Sequence, residues 1–338
     1  LNTPEGVIDL RTGVRRQHRH DDHMTKIAAV GPGGDCPRFL AFLDRILGGD
    51  AELAAYIRRV LGYGLTGLTR EHALFFGYGT GANGKSVLLS TVAGIMGDYH
   101  RSAPIETFTA SNGDRHPTDL AGLRGARFVS SIETEEGRRW AESRIKHDRR
   151  RHHRGEVHAA GLFEYKPAFK LFIAGNHKPS LRSVDEAIRR RFHLVPFAVT
   201  IPPEERDGEL TEKLKAEWPG ILAWMIEGAL MWQTEGLRAP PAVIDATAAY
   251  LEAEDAIAAW IDDKCERDLE AWEQSAALFA SWSQWAEKSG EQAGTMKRFA
   301  QALKSRGFTR HKRNQGQGFY GLRRNAEDSA QTHWADRE

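Results

Sequence analysis

Residues 73–97 read ALFFGYGTGANGKSVLLSTVAGIMG, and three signals meet in them. The apolar, aromatic run at 73–78 has the length of a buried strand. It stops in Gly79, Thr80, Gly81, Ala82, Asn83, Gly84, Lys85 and Ser86, which spell G-x-x-x-x-G-K-S, and the chain reopens at helical spacing. Strand, glycine-rich turn and helix are the context this motif requires. Its glycines let main-chain N–H groups turn inward round phosphate oxygens, and the helix start adds the positive end of its dipole. Lys85 is expected to reach the β and γ oxygens of ATP, with the Ser86 hydroxyl on Mg2+.

Chemistry on those phosphates needs a second set of groups on neighbouring strands. Three further apolar runs qualify: RFVSSIE at 127–133, FKLFIAGN at 169–176 and HLVPFAVTI at 193–201. Strands alternating with helical segments predict a parallel α/β sheet covered on both faces. Glu133 closes the first run, 48 residues after Lys85, and is the candidate to hold Mg2+ and polarise water. A lone acid after a strand also serves as a helix N-terminal charge, a role left to Glu135 or Glu136. Residues 133–146 read as helical. Asn176 closes the second run and is the candidate to sense the γ-phosphate. Arg189, Arg190 and Arg191 precede the last run; a neighbouring subunit's γ-phosphate is one use for an arginine there, and a solvated helix end is the plain alternative.

Composition excludes several classes. The 338 residues carry 47 Lys and Arg against 46 Asp and Glu, a net charge of +1, with 41% hydrophobic and 28% charged residues, as in ordinary globular proteins. Cys36 and Cys265 stand far apart with no C-x-x-C partner, so neither a disulfide framework nor a thiolate zinc site can be built, and a cytoplasmic location is expected. The most apolar stretch, residues 220–232, is interrupted by Glu227 and falls short of the roughly 20 residues of a membrane span. Leu1 in place of Met suggests an unusual start or a fragment of a longer product.

Charge is unevenly spread. Residues 241–295 hold twelve acids against three Lys and Arg, whereas residues 296–324 hold nine Lys and Arg and no acid. Such a basic stretch suits a phosphate backbone, with a solvated face as the alternative. Within it MKRFAQALKSRGF reads as an amphipathic helix with Phe299 and Leu303 inward and Lys297, Arg298, Lys304 and Arg306 outward, followed by a glycine-punctuated basic hairpin. Ahead of the motif, residues 37–67 show the spacing of amphipathic helices, and residues 209–235 read as helical. Three regions are therefore expected: a helical N-terminal module at 1–70, a nucleotide-binding domain at 71–240 and a small basic domain at 241–338.

LFFGYGTGANGKS, RGARFVSSIETEEGRR, FKLFIAGNHKP and VDEAIRRRFHLVPF, in this order and spacing, resemble the phage and plasmid primase-helicase family. Its motor is a superfamily 3 helicase of the AAA+ class. NTPEGVIDLRTG and residues 36–73 resemble the helical region ahead of that motor, and the C-terminal region resembles a winged-helix domain. The resemblance implies an AAA+ type P-loop fold in which Lys85 and Ser86 bind MgATP, Glu133 is the Walker B acid, Asn176 is sensor 1 and Arg191 is the arginine finger, with Arg190 as runner-up. It further implies a homo-oligomeric ring, usually a hexamer, that draws a DNA strand through a channel; the apolar pattern above predicts no membrane partner. The family's primase domain lies upstream of the matching portion, so primase activity is not assigned.

The chain departs from the family at residues 147–160. Where the family has a Thr-Gly-Gly-Asp segment and an alanine–arginine run leading to a channel-facing hairpin, the chain has HDRRRHHRGEVHAA. Its histidines lack the spacing of a metal site, as do His18, His20 and His23. Back-translation with permitted codons, read one nucleotide later, yields MTGGDIIAARFMRR, which restores the family pattern. A pair of compensating frameshifts, in the gene or in its sequencing, is therefore our expectation. Two competing functions fit the same residues: a DNA-binding remnant that no longer translocates, and a small-molecule phosphotransferase, which would leave the basic tail unexplained.

Overall fold

The computed structural model describes residues 1–110, 121–132, 138–141, 153–157, 161–181, 184–291, 293–314, 316–326 and 328. These residues fall into two compact units: residues 1–180 with 190–249, and residues 181–189 with 250–338.

The first unit opens with a small antiparallel sheet, β1 (Asn2–Thr3), β2 (Gly6–Asp9) and β3 (Val14–Arg16). The resemblance had implied helix for NTPEGVIDLRTG, and this is corrected: the turn at Gly13, with φ of 74°, reverses the chain into a hairpin. The helices read from residues 37–67 are present as α1 (Pro37–Leu47) and α2 (Ala51–Leu65). Pro37 starts α1 at a position where its missing N–H costs nothing, and Gly48 ends it in the left-handed region. Asp50 caps α2 by accepting from Leu53 N at 2.9 Å.

Five parallel strands form the main sheet: β4 (Leu74–Tyr78), β5 (His100–Ser102), β6 (Phe128–Ile132), β9 (Lys170–Gly175) and β10 (Phe192–Pro196), in the order β10-β4-β9-β6-β5. The strands β7 (His153–Val157) and β8 (Gly161–Tyr165) form a separate antiparallel hairpin. Alternation along β4 sends Phe75 to one face, against Tyr56 of α2 and Phe172, and Phe76 to the other, against Trp140 and Phe192. Trp140 and Arg139 lie in the segment read as helical, yet both make β-bridges, Thr109 with Trp140 and Arg139 with Ser180. Burial of Trp140 over the sheet, at 2% exposure, overrides the local helical pattern there.

Helix α3 (Lys85–Met96) follows β4; the short α4 (Glu186–Arg189) precedes β10, and α5 (Leu210–Lys215) and α6 (Trp218–Glu235) come after it. Helix α2 packs tightly on α6 through two glycines. A Cβ on Gly62 would lie 2.1 Å from Ala229 N, and one on Gly228 would lie 2.1 Å from Arg58 O, so neither position tolerates a side chain at this separation. The edge strand β10 is held from outside by α7 (Pro241–Ala253), where Thr247 Oγ1 accepts from Leu194 N at 2.9 Å.

The second unit contains α4 together with α8 (Ala256–Lys264), β11 (Cys265–Glu266), β12 (Trp272–Gln274), α9 (Ser275–Lys288), α10 (Met296–Ser305), β13 (Thr309–Arg313), β14 (Gly316–Tyr320) and β15 (Arg323–Arg324). Its core joins Trp260, Leu278, Trp282, Phe299, Leu303, Phe319 and Leu322. The three-stranded sheet runs β12-β14-β13, and β13–β14 is the basic hairpin expected from the glycines. Phe299 and Leu303 point inward as read, at 1% and 0% exposure. Arg306 does not point outward. It pairs with Asp255, which also takes Arg189 at 3.3 Å, so this guanidinium is spent inside the unit.

Candidate functional site

The phosphate loop leaves the carboxyl end of β4, between β10 and β9. Gly81, Ala82 and Gly84 have φ of 104°, 49° and 77°, a succession that turns main-chain N–H groups to one side. Ala82 holds this left-handed conformation against a cost of about 1 kcal/mol. Its carbonyl accepts from Ile201 N at 2.7 Å, a tertiary bond that keeps the turn in place. Beneath the loop, a Cβ on Gly84 would lie 2.5 Å from Ile46 Cγ2 and 2.9 Å from the Phe42 ring, so α1 seats directly against the turn.

Lys85 begins α3 and is 5% exposed. Its Nζ donates to Gly79 O at 2.8 Å, Asn83 Oδ1 at 2.9 Å and Asn176 Oδ1 at 3.3 Å. All three acceptors are neutral, and burial lowers the ammonium from its ordinary 10.5 to about 8. A polyanion at the loop would offset the burial that disfavours this charge. Ser86 and Thr80 are exposed beside it. The loop, the helix start and Ser86 thus fit a Mg2+-bound polyphosphate by the chemistry of their donors.

Strand order decides which other residues reach the loop. β9 lies between β4 and β6, with Gly175 level with Tyr78 and Ile132 level with Ala174. Asn176 therefore emerges next to the loop, as its bond to Lys85 records. Glu133 follows Ile132 in sequence but lies outside the described residues, as do Glu135 and Glu136.

The arginines sit elsewhere. Phe192 pairs with Leu74, and Arg191 O accepts from Leu74 N at 2.7 Å, so Arg190 and Arg191 stand at the amino end of the strands. Five strand residues, about 16 Å, separate that level from the loop. Neither guanidinium serves its own chain's loop from there. Arg191 is buried at 6% exposure, whereas Arg190 is exposed.

In the second unit the basic footprint is smaller than the charge count implied. Arg323 and Arg324 pair with Glu266 and Glu273, and Arg313 bonds to Tyr320 Oη. Lys297, Lys304, Arg310 and Lys312 are exposed, with no acid paired to them among the described residues. The Arg298 side chain lies outside the described residues. Also among the described residues, no group of His, Cys, Asp and Glu could hold a metal ion, and no helix is long and apolar enough to cross a membrane.

Comparison with known proteins adds three likenesses. The family described as "D5 N terminal like" matches residues 1–48. Two viral proteins are similar over much of the chain: "Putative helicase L207/L206" of Acanthamoeba polyphaga mimivirus, 27% identical over 226 residues, and "Putative helicase 022R" of Frog virus 3, 23% identical over 301 residues. These alignments cover 63% and 78% of this chain but only 23% and 29% of those proteins. In fold, the chain is similar to the apo structure of the NrS-1 C terminal region (305-718), with a TM-score of 0.52 at 14% identity, covering 87% of this chain and 77% of that one. The chain thus resembles helicase-named viral sequences over a minor part of their length and shares the fold of the NrS-1 region.

Proposed function

We propose that the chain is the motor portion of an ATP-driven DNA helicase of the superfamily 3, AAA+ type, serving phage, prophage or plasmid replication. The observation that carries this reading is the bond between Lys85 of the loop and Asn176 of the adjacent strand, which joins two separately recognised motifs in one site. MgATP is held by residues 79–86, with Lys85 on the β and γ oxygens and Ser86 and Glu133 as the residues that hold the metal. Mg2+ held there would supply neutralisation of charge developing on the transferred phosphoryl group. Asn176 orients the γ-phosphate end, and Glu133 polarises the attacking water.

The remote position of Arg190 and Arg191 supports a ring, because an arginine at that edge serves a nucleotide only in a neighbouring copy. We read the assembly as a homo-hexamer and, of the two arginines, favour Arg190 as the finger, because it is exposed. The order helix, strand, helix, helix, hairpin in the second unit supports a winged helix, with α10 and the β13–β14 hairpin on duplex DNA. The departure at residues 147–160 favours a second reading, a remnant that binds DNA and ATP without coupling them.

ATP hydrolysis measured with and without DNA, on protein of known oligomeric state, tests both. A motor is stimulated by DNA. A remnant binds both ligands with little turnover, and a phosphotransferase responds to a small acceptor instead.

A further inference from the structure

Asn83 occupies one of the variable positions of the loop motif, yet its side chain is 3% exposed and holds two bonds of opposite sense. Its Oδ1 accepts from Lys85 Nζ at 2.9 Å, and its Nδ2 donates to Phe197 O at 3.4 Å. An ammonium on one side and a carbonyl on the other require an acceptor and a donor on a single short side chain, which a carboxamide supplies. Asp would set a second oxygen against the Phe197 carbonyl, and Leu would offer neither group.

Two neighbouring features are built round this bridge. A Cβ on Gly79 would lie 2.2 Å from Asn83 Nδ2 and 2.3 Å from Phe197 O, so the first glycine of the loop makes room for the carboxamide as well as for phosphate. The chain after β10 is also fastened to the loop on either side: Phe197 N donates to Tyr78 O and Ile201 N to Ala82 O, both at 2.7 Å. The segment 197–201, read from sequence as the end of a strand, is thereby a brace for the loop.

We propose that Asn83 is a positioning residue for nucleotide binding: it aims the Lys85 ammonium and anchors that aim, through Phe197, to the end of β10. The inference rests on the reading of residues 79–86 as a nucleotide loop. Its effect runs through Lys85, so Asn83 has no weight of its own once the lysine is gone. A residue needed only for folding would weaken binding whether or not Lys85 is present.

A double-mutant cycle on the full chain tests this, with MgATP affinity measured by calorimetry and the thermal midpoint followed as a control for folding. Asn83→Ala is expected to weaken MgATP about tenfold in the native background. In the Lys85→Ala background the same change is expected to cost less than about twofold, the coupling expected of residues that act together. Equal losses in both backgrounds, or no loss in either, overturn the proposal. Should Asn83→Ala not fold, Asn83→Ser enters the same cycle, and failure of both to fold assigns the residue to structure alone and likewise overturns it. If the native chain does not bind MgATP, the reading of the loop itself falls, an outcome distinct from a native chain that binds while its Asn83 variants bind equally well.

Discussion

Asn176 Oδ1 accepts from Lys85 Nζ at 3.3 Å across 91 residues of sequence. Only insertion of β9 between β4 and β6 makes this possible, since a sheet in chain order would set the Asn176 strand away from the loop. The contact makes the two residues one site with separable roles. Lys85→Ala is expected to abolish hydrolysis and weaken MgATP by at least about tenfold, because the point charge on the phosphates is lost. Asn176→Ala should leave affinity within about threefold while lowering turnover by about a hundredfold. Calorimetry and a phosphate-release assay measure the two. Retained turnover in Lys85→Ala would show that the loop is not the catalytic one.

The arginines at the amino end of β10 separate by exposure. Arg190→Ala should lower turnover of the assembled protein about a thousandfold while each subunit still binds MgATP. Mixing it with Lys85→Ala subunits should recover part of the activity, since each supplies what the other lacks. Arg191→Ala should act mainly on stability, its side chain being buried at 6% exposure. Absence of recovery in proven mixed oligomers would remove the shared site.

Acid should destabilise the first unit. His193 Nδ1 is bonded to Tyr56 Oη at 2.8 Å, and burial pushes its pKa from 6.5 down to about 4. The unfolded chain then binds more protons than the folded one between those values, so stability is present above about pH 6.5 and is lost as pH falls toward 4. The loss from this residue is at most about 3 kcal/mol, an upper bound because the ring is not fully sealed. His100 is lowered to about 4 by the same cause and adds to the slope. Denaturant titrations at pH 7 and pH 5 check the sign, and His193→Gln should flatten the difference.

Within the basic region the structure divides the cations by use. Arg310→Ala and Lys312→Ala should weaken DNA binding with stability unchanged, and each lost phosphate contact should reduce the slope of log K against log salt by about 0.9. Arg306→Ala should instead lower stability by about 1–3 kcal/mol, because Asp255, 7% exposed, loses one of its two guanidinium partners. A salt slope unchanged in Arg310→Ala and Lys312→Ala would assign the hairpin cations to solvation.

The departure at residues 147–160 yields a comparison between two whole proteins. The chain as printed should bind MgATP, since the loop and β9 are built from other segments, but should couple hydrolysis to DNA poorly. The version carrying MTGGDIIAARFMRR should regain DNA-stimulated turnover and strand separation. Equal unwinding by both would show that this segment is not needed for translocation. Resequencing the DNA of close relatives tests the frameshift itself: the printed residues in all of them would sink it.

Much of this is legible in the sequence alone. The run from Ala73 to Gly97 determined a strand, a phosphate-type turn and a helix, because glycine spacing, a lysine and the change of apolar period are all local signals. The same holds for β6, β9 and the pair Phe299 and Leu303, whose burial follows from spacing alone. What the sequence could not determine was how separate segments meet. The sheet order brought Asn176 to Lys85, and the parallel run of β10 beside β4 left Arg190 and Arg191 at the amino end, away from the loop. A sheet contact drew Arg139 and Trp140 out of a helical pattern, and Asp255 withdrew Arg306 from the surface. The bonds of Asn83 depend on Phe197, 114 residues away, and no local signal marks them. Periodicity reports which face of an element is apolar, whereas the partner that covers that face, or pairs with a charge upon it, is chosen by packing and hydrogen bonding among segments distant in sequence. Only the tertiary structure decided those.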